Sequence, residues 1–207
     1  AEYVPRVYEL PKDERNKLRS AGDLDDDELD EEDLDGHRRA YLDQSPRPVL
    51  QVVDDPDMAR LVVLGDPGSG KSTLLRYLLL RWAEGGDESA PLPLLIELRE
   101  YARLRAAGEA NGFVHWLASG ENARWHLGEA ALGDWLDTWP SLVLFDGLDE
   151  VFDPTLRGEV TTAIHRFADE HPLARVVLTS RVIGYQHPTW RDNGFRHVML
   201  EDLDEAH

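Results

Sequence analysis

The stretch LVVLGDPGSGKSTLLRYLLL, residues 61–80, changes character twice within a few positions. Its first four residues are apolar and partly β-branched, which predicts a short buried strand that ends at Gly65. Leucines then recur at helical spacing after Ser72 and predict a helix over 72–83, which the following glycines end. A strand, a tight glycine-rich loop and a helix are therefore expected in direct succession.

The loop fits the pattern G-x-x-x-x-G-K-[ST], with the strand before it and the helix after it that the pattern requires. Backbone N–H groups can converge on a phosphate only where no side chain obstructs the approach, and glycine also permits positive φ. The amino end of the helix adds unpaired N–H groups and the positive end of its dipole. We therefore predict a phosphate-binding loop formed by Gly65, Asp66, Pro67, Gly68, Ser69, Gly70, Lys71, Ser72 and Thr73.

Two side chains of this loop carry specific chemistry. The ammonium of Lys71 would lie near the β and γ phosphates, where one such contact contributes on the order of 4 kcal/mol before desolvation is subtracted. The hydroxyl of Ser72 would bind Mg²⁺. The strand SLVLF, residues 141–145, is followed by Asp146, at the edge where open α/β sheets bind ligands. Asp146 is expected to hold the same Mg²⁺ through water.

Further acids and an arginine are candidates for catalysis together with Lys71. Glu150 could accept a hydrogen bond from an attacking water and orient it toward the γ-phosphate, and Asp149 competes for that role. Arg181 follows the strand ARVVLTS, residues 174–180, and is expected to contact the γ-phosphate. An ion pair between Arg181 and one of the acids is the alternative, and both arrangements can occur in different nucleotide states.

Short buried strands alternate with helices along the chain, which predicts an α/β domain with a mostly parallel sheet. The expected strands are 61–64, 92–98, 141–145, 174–180 and 197–200, and the expected helices are 72–83, parts of 113–139, and 160–171. Residues 45–207 are assigned to the nucleotide-binding domain and residues 1–44 to an N-terminal segment. Within that segment, residues 23–35 hold ten acids and are expected to form a flexible linker, with an acidic docking tail as the alternative.

Composition excludes several classes of function. The formal net charge is −19 and no basic stripe is present, so direct binding of nucleic acid is not expected. The chain has no cysteine and no run of about 18 apolar residues, so neither a thiolate metal site nor a membrane span is expected. No secretory signal opens the sequence, and a cytoplasmic location is favoured.

Adenine is the expected base of the nucleotide. Guanine-binding proteins with this loop commonly carry an N-K-x-D element after the later strands, and the sequence has none. The L-S-G-G-Q-like signature of ABC-type ATPases is also absent. The expected ligands are therefore ATP and ADP together with Mg²⁺.

Four stretches occur in an order and at a spacing that resemble the NACHT domain, a branch of the STAND class of P-loop NTPases, and most of all its bacterial NLR-like members. They are GDPGSGKSTLLRYL, LPLLIELREYA, SLVLFDGLDEV and RVVLTSRVIGY. The first corresponds to the Walker A motif, and DGLDE within the third corresponds to Walker B. The resemblance implies a three-layer α/β/α sandwich with a mostly parallel five-stranded sheet. It also implies that strand 174–180 lies between strands 61–64 and 141–145.

The same resemblance implies a slow, Mg²⁺-dependent ATPase that acts as a conformational and oligomerisation switch, in bacteria commonly in antiphage defence. ADP would hold a closed form, and ATP would accompany opening and self-association. Effector and sensor domains would be partners, and the helical and winged-helix domains would be expected to follow the end of this sequence. A scaffold that binds ADP or ATP with negligible turnover is the main alternative, and a small-molecule kinase is a third.

Overall fold

The computed structural model describes residues 5–9, 45–85, 90–119, 127–182, 190 and 193–201. The acidic stretch 23–35, expected to be a linker or a docking tail, lies outside the described residues. The chain divides into two compact units, of which the first comprises Ala1–Leu74 and Thr179–His207. The second unit comprises Leu75–Leu178.

The first unit contains strands β1 (Arg6–Glu9), β2 (Arg47–Pro48), β3 (Arg60–Leu64) and β7 (Arg196–Leu200) in the order β2-β1-β7-β3. Strands β3 and β7 are parallel, whereas β1 is antiparallel to both β7 and β2. A short helix α1 (Val49–Val53) and a 3₁₀ turn (Pro56–Met58) precede β3. β1 thus lies within the segment 1–44 of the sequence-based division, and it pairs with strands of the nucleotide-binding domain.

The second unit contains β4 (Leu92–Glu97), β5 (Ser141–Asp146) and most of β6 (Ala174–Ser180), in the order β6-β5-β4. All of its strand pairs are parallel. The helices are α2 (Lys71–Gly85), whose first turn belongs to the first unit, α3 (Leu98–Ala106), α4 (Phe113–Ala118), α5 (Glu129–Thr138) and α6 (Pro154–Glu170). A 3₁₀ turn, Leu148–Glu150, follows β5.

An aromatic cluster forms part of the core of the second unit. Phe113 on α4 lies 4.3 Å from Tyr101 on α3 and 4.8 Å from Phe145 on β5, measured between ring centroids. Phe167 on α6 meets Phe113 and Phe145 edge to face, at 5.8 and 5.9 Å. Each ring is at most 4% exposed, so the cluster joins three helices to β5 by burying large apolar surfaces.

The α/β class and the mostly parallel strand arrangement are confirmed, but the number of strands is not. The described residues form seven strands rather than five. The additional strands, β1 and β2, contain four and two residues, which is too short for a period-2 pattern to stand out in the sequence. The resemblance implies that β6 lies between β3 and β5. Strand β6 pairs with β5 in parallel, which agrees with one of these two expected neighbours.

The sequence pattern predicts no helix at the position of α3, and it places the start of α6 too late. Helix α3 begins at Leu98, directly after β4, where the sequence pattern predicts the end of a strand. Helix α6 begins at Pro154 rather than at residue 160, because Asp153 caps it and proline is favourable in the first turn. Within the described ranges, none of the helices combines the length and the apolar content needed to cross a bilayer.

Candidate functional site

The phosphate-loop candidate lies in the first unit, between the end of β3 and the start of α2. Residues 61–64 are fully buried, which fixes the strand from which the loop departs. Gly68 and Gly70 have φ of +85° and +91°, which residues with a side chain rarely adopt. At both positions the backbone turn itself therefore requires glycine, as the loop pattern predicts.

Gly65 is required for a different reason. A Cβ at this position would overlap the hydroxyl oxygen of Ser69, and it would lie 3.6 Å from Cβ of Leu200 on β7. Ser69 also donates its backbone N–H to the carbonyl oxygen of Asp66 at 3.1 Å, which closes the loop on itself. The absence of a side chain at Gly65 thus leaves room for the hydroxyl of Ser69.

The hydroxyl of Ser69 is the most informative polar group of the loop. Ser69 is 3% exposed, and its Oγ has no hydrogen-bond partner among the residues that the structure describes. A buried hydroxyl without a partner costs about 1–3 kcal/mol. A buried, unsatisfied donor in a glycine-lined loop before a helix amino end fits a phosphate group, whose oxygens accept hydrogen bonds.

The ammonium group of Lys71 also lies at the phosphate loop. Its Nζ donates to the carbonyl oxygen of Gly65 at 2.8 Å and to that of Asp66 at 2.9 Å. Ser72, the next residue, is half-buried in the first turn of α2, and Thr73 is exposed. The loop therefore presents an ammonium and a hydroxyl next to the helix amino end, which are the groups expected to bind phosphate and Mg²⁺.

The acidic candidates belong to the second unit. Asp146 is the last residue of β5 and is half-buried. Its partner in the register is Glu97, the last residue of β4, so both carboxylates lie at the carboxyl edge of this parallel pair. The sequence pattern predicts a buried strand through residue 98 and does not indicate that Glu97 is exposed. The signal that could have identified Glu97 is the position of an acid near the end of a strand, as at Asp146.

The turn after β5 places Asp149 and Glu150. Gly147 has a φ of +76°, and the chain then enters the 3₁₀ turn, which the buried Leu148 anchors. Glu150 is exposed and donates its backbone N–H to the carbonyl oxygen of Gly147 at 3.0 Å. A Cβ on Gly147 would lie 3.2 Å from Cγ and Cδ of Glu150. Gly147 therefore adopts the positive φ that the turn requires, and its lack of a side chain leaves room for the side chain of Glu150.

Helix α3 supports this turn. It contacts the 3₁₀ turn on one side and α6 on another. Tyr101 at its centre is fully buried, and burial raises the pKa of its hydroxyl, while the positive charge of Arg105 acts in the opposite direction. The neutral phenol of Tyr101 is thus buried in the aromatic cluster, where its ring contacts Phe113 on α4.

The phosphate loop and the acids near the end of β5 lie within a region that matches a known protein family. The family model of the NACHT domain matches residues 59–206, which is more than half of the chain. The chain belongs to the NACHT domain family. NACHT domains are P-loop NTPases, so the chain is a nucleotide-binding module of the NTPase type. No curated protein matches the chain.

The donors that the sequence predicts for a metal in this NACHT domain are oxygen atoms. Among the described residues, no group of three or more histidine, cysteine, aspartate or glutamate side chains is arranged to hold a metal ion. Mg²⁺ in nucleotide sites uses one or two protein oxygens and takes its remaining ligands from phosphate and water. The hydroxyl of Ser72, in the first unit, and the carboxylate of Asp146, in the second unit, are each an oxygen donor of the kind that Mg²⁺ accepts.

Arg181 of the NACHT domain directly follows β6. Thr179 and Ser180 before it are 0% and 2% exposed, whereas Arg181 is exposed. By the division of the chain, Arg181 belongs to the first unit, together with Lys71 and Ser72. The roles expected for these residues rest on the sequence pattern, and they remain predictions.

Proposed function

We propose that this NACHT domain binds ATP and ADP with Mg²⁺ and hydrolyses ATP slowly. The observation that supports the proposal most directly is the buried hydroxyl of Ser69, which lacks a partner among the described residues inside a loop in which Gly68 and Gly70 have positive φ. Lys71 supplies positive charge to that loop through its bonds to Gly65 and Asp66. The absence of a guanine-binding N-K-x-D element from the sequence favours adenine.

Each side chain has a proposed role in this reaction. Lys71 contacts the β and γ phosphates, and the backbone N–H groups of the loop surround them. Ser72 and Asp146 provide oxygen ligands to Mg²⁺, which neutralises phosphate charge when bound. Glu150 orients the attacking water, with Asp149 as the competing candidate. Arg181 contacts the γ-phosphate and distinguishes ATP from ADP.

The resemblance to bacterial NLR-like NACHT domains supports a further proposal. Bound nucleotide would set the conformation of the module, so that ADP favours a closed form and ATP favours self-association. Such a switch would act with effector and sensor domains, in the cytoplasm, in defence against phage.

The test compares nucleotide binding and turnover between the parent chain and Lys71→Ala. We expect Lys71→Ala to weaken binding of a fluorescent ATP analogue by about 100-fold or more, equivalent to about 2.7 kcal/mol, and to abolish phosphate release. The matched control is Arg76→Ala, which removes an exposed cation one turn further along α2. This control should bind within about 2-fold of the parent, since surface charges contribute little.

The outcomes separate the proposed function from its alternatives. Equal binding by the parent and Lys71→Ala would exclude the loop as the phosphate site. Binding without phosphate release by the parent would identify a nucleotide-gated scaffold instead of an ATPase. Competition by unlabelled ATP and GTP, measured in the same assay, identifies the base.

A further inference from the structure

Gly65 of the phosphate loop has a neighbour outside the loop pattern. Leu200 is the last residue of β7, is 3% exposed, and has its Cβ 3.6 Å from the position that a Cβ on Gly65 would occupy. Leu64 and Met199 are partners in the parallel pair of β3 and β7, so the residues that follow them, Gly65 and Leu200, are neighbours, and Leu200 lines the space that a side chain on Gly65 would enter.

Glu201, the residue after Leu200, is bound to β1 by two hydrogen bonds. Its backbone N–H donates to the carbonyl oxygen of Arg6 at 2.9 Å. Its carboxylate accepts from the hydroxyl of Tyr8 at 3.0 Å. Hydrogen bonds that involve a charged group are stronger than those between neutral groups, so the Tyr8 bond fixes the carboxyl end of β7.

Strand β1 is itself held on its other side. Its Arg6 guanidinium donates to the carbonyl oxygen of Pro46 at 3.2 Å, and Glu9 forms an ion pair with Arg47. The backbone N–H of Val49 donates to the carbonyl oxygen of Pro5 at 2.8 Å. β1 is thus a fixed support, and the contacts from it through Glu201 and Leu200 to Gly65 all lie in the first unit.

We propose that Tyr8 and Glu201 are positioning residues for phosphate binding, an inference that rests on the proposed nucleotide-binding function. They hold Leu200 in place beside Gly65, whose carbonyl oxygen in turn accepts from the ammonium of Lys71 at 2.8 Å. Glycine has the largest backbone freedom of any residue, so a glycine loop needs packing from outside to keep one conformation. A loop ordered before it binds loses less entropy on binding and binds more tightly.

The experiment measures the affinity of the full chain for a fluorescent ADP analogue with Mg²⁺. We expect Tyr8→Phe and Glu201→Ala each to raise Kd by about 5-fold, because each removes the same bond. The double variant should lose no more than the larger single loss, since two residues that act through one bond are not additive. Glu201→Gln keeps an oxygen acceptor for Tyr8 and should restore most of the affinity.

The matched control is Arg47→Gln, which removes the ion pair on the opposite side of β1 and leaves the bond between Tyr8 and Glu201 intact. It should change Kd by less than about 2-fold, and urea unfolding reports the stability of every variant. Hydrogen exchange at the Glu201 amide provides a readout independent of turnover. By thermodynamic linkage, saturating ADP should slow this exchange in the parent but much less in Tyr8→Phe.

Parental affinity in folded Tyr8→Phe and Glu201→Ala would overturn the inference while leaving the proposed function intact. An affinity loss of the same size in Arg47→Gln would also overturn it, because general loosening of β1 would then explain the effect. If the parent itself binds no nucleotide, the proposed function fails, and the positioning role fails with it. The conservative variants Tyr8→Phe and Glu201→Gln keep the test decisive if Glu201→Ala does not fold.

Discussion

The ammonium of Lys71 lies 2.8 Å from the carbonyl oxygen of Gly65, at the opposite end of the phosphate loop. A second bond, at 2.9 Å, joins it to the carbonyl oxygen of Asp66. One side chain therefore supplies the charge expected to bind phosphate and also ties the start of α2 to the end of β3. Removing Lys71 should affect both the shape of the loop and its electrostatics.

Gly65→Ala is expected to destabilise the protein by about 1–3 kcal/mol, because its Cβ would overlap the hydroxyl oxygen of the buried Ser69. Nucleotide binding should weaken as well, since the two ends of the loop must separate. Urea unfolding and titration with a fluorescent nucleotide measure the two effects. In a Ser69→Ala background the overlap with the hydroxyl is removed, so the stability cost of Gly65→Ala should shrink.

The control for this substitution is Gly158→Ala in α6, where a Cβ would meet nothing within 4 Å. Helical alanine is more favourable than glycine by about 1 kcal/mol, so Gly158→Ala should be neutral or stabilising. If Gly65→Ala behaves in the same way, Gly65 and Ser69 are not packed as closely as the structure shows.

Gly147→Ala should reduce ATP turnover more than nucleotide binding. It places a side chain on a residue with φ of +76° and brings its Cβ 3.2 Å from two carbons of Glu150, so the turn and this carboxylate must shift. Gly108→Ala is the matched control, because Gly108 has the same φ of +76° in the same unit and open space around it. Single-turnover hydrolysis should fall with Gly147→Ala alone, and equal losses in both variants would assign the effect to backbone strain.

Glu150→Gln should slow single-turnover ATP hydrolysis by about 100-fold or more while nucleotide affinity stays near that of the parent, because general-base assistance contributes about that factor. Asp149→Asn is the matched variant on the adjacent half-buried acid and should have the smaller effect. The reverse order would transfer the water-orienting role to Asp149.

The free energy of unfolding should fall above about pH 10 through Tyr101. Burial raises the pKa of this phenol in the folded protein, whereas in the unfolded chain it ionises near pH 10. Between the unfolded and the folded pKa, the Tyr101 hydroxyl is protonated in the folded protein but ionised in the unfolded chain. The stability that this provides is fully present below about pH 10 and is lost as pH rises through the folded pKa.

Urea unfolding between pH 9 and pH 11 tests this dependence against Tyr101→Phe. The variant has no ionisable group at this position, so its unfolding free energy should fall less steeply over the range. Parallel curves for the parent and Tyr101→Phe would mean that the phenol does not titrate differently in the two states.

Asp153→Ala should destabilise α6 by about 1 kcal/mol, because the Asp153 carboxylate accepts from the backbone N–H of Leu156 at 2.9 Å and caps the helix. Asp153→Asn keeps an oxygen acceptor and should recover most of the loss. Thermal or urea unfolding gives the comparison, and equal losses in the two variants would assign the effect to the negative charge rather than to the hydrogen bond.

Helix α6 also shows where sequence patterns reach their limit. Its apolar periodicity becomes clear only from about residue 160, yet the helix begins at Pro154, because a capping side chain and a proline in the first turn decide a helix start without any apolar residue. Local sequence patterns do not predict β1 either. Its four residues become a strand only because β7 and β2 offer partners that lie far away in the sequence.

The sequence by itself determined the strand, glycine loop and helix around residues 60–85, the acids at and after the end of β5, and the family to which they belong. These features follow from local properties: the period of apolar residues, the backbone freedom of glycine, and the charge of particular side chains. The tertiary structure alone decided that Ser69 is buried against Gly65, that Glu97 stands beside Asp146, and that Tyr8 reaches Glu201. The last two relationships join residues distant in sequence, and the first depends on burial. Strand pairing and close packing create all three, and no local pattern encodes them.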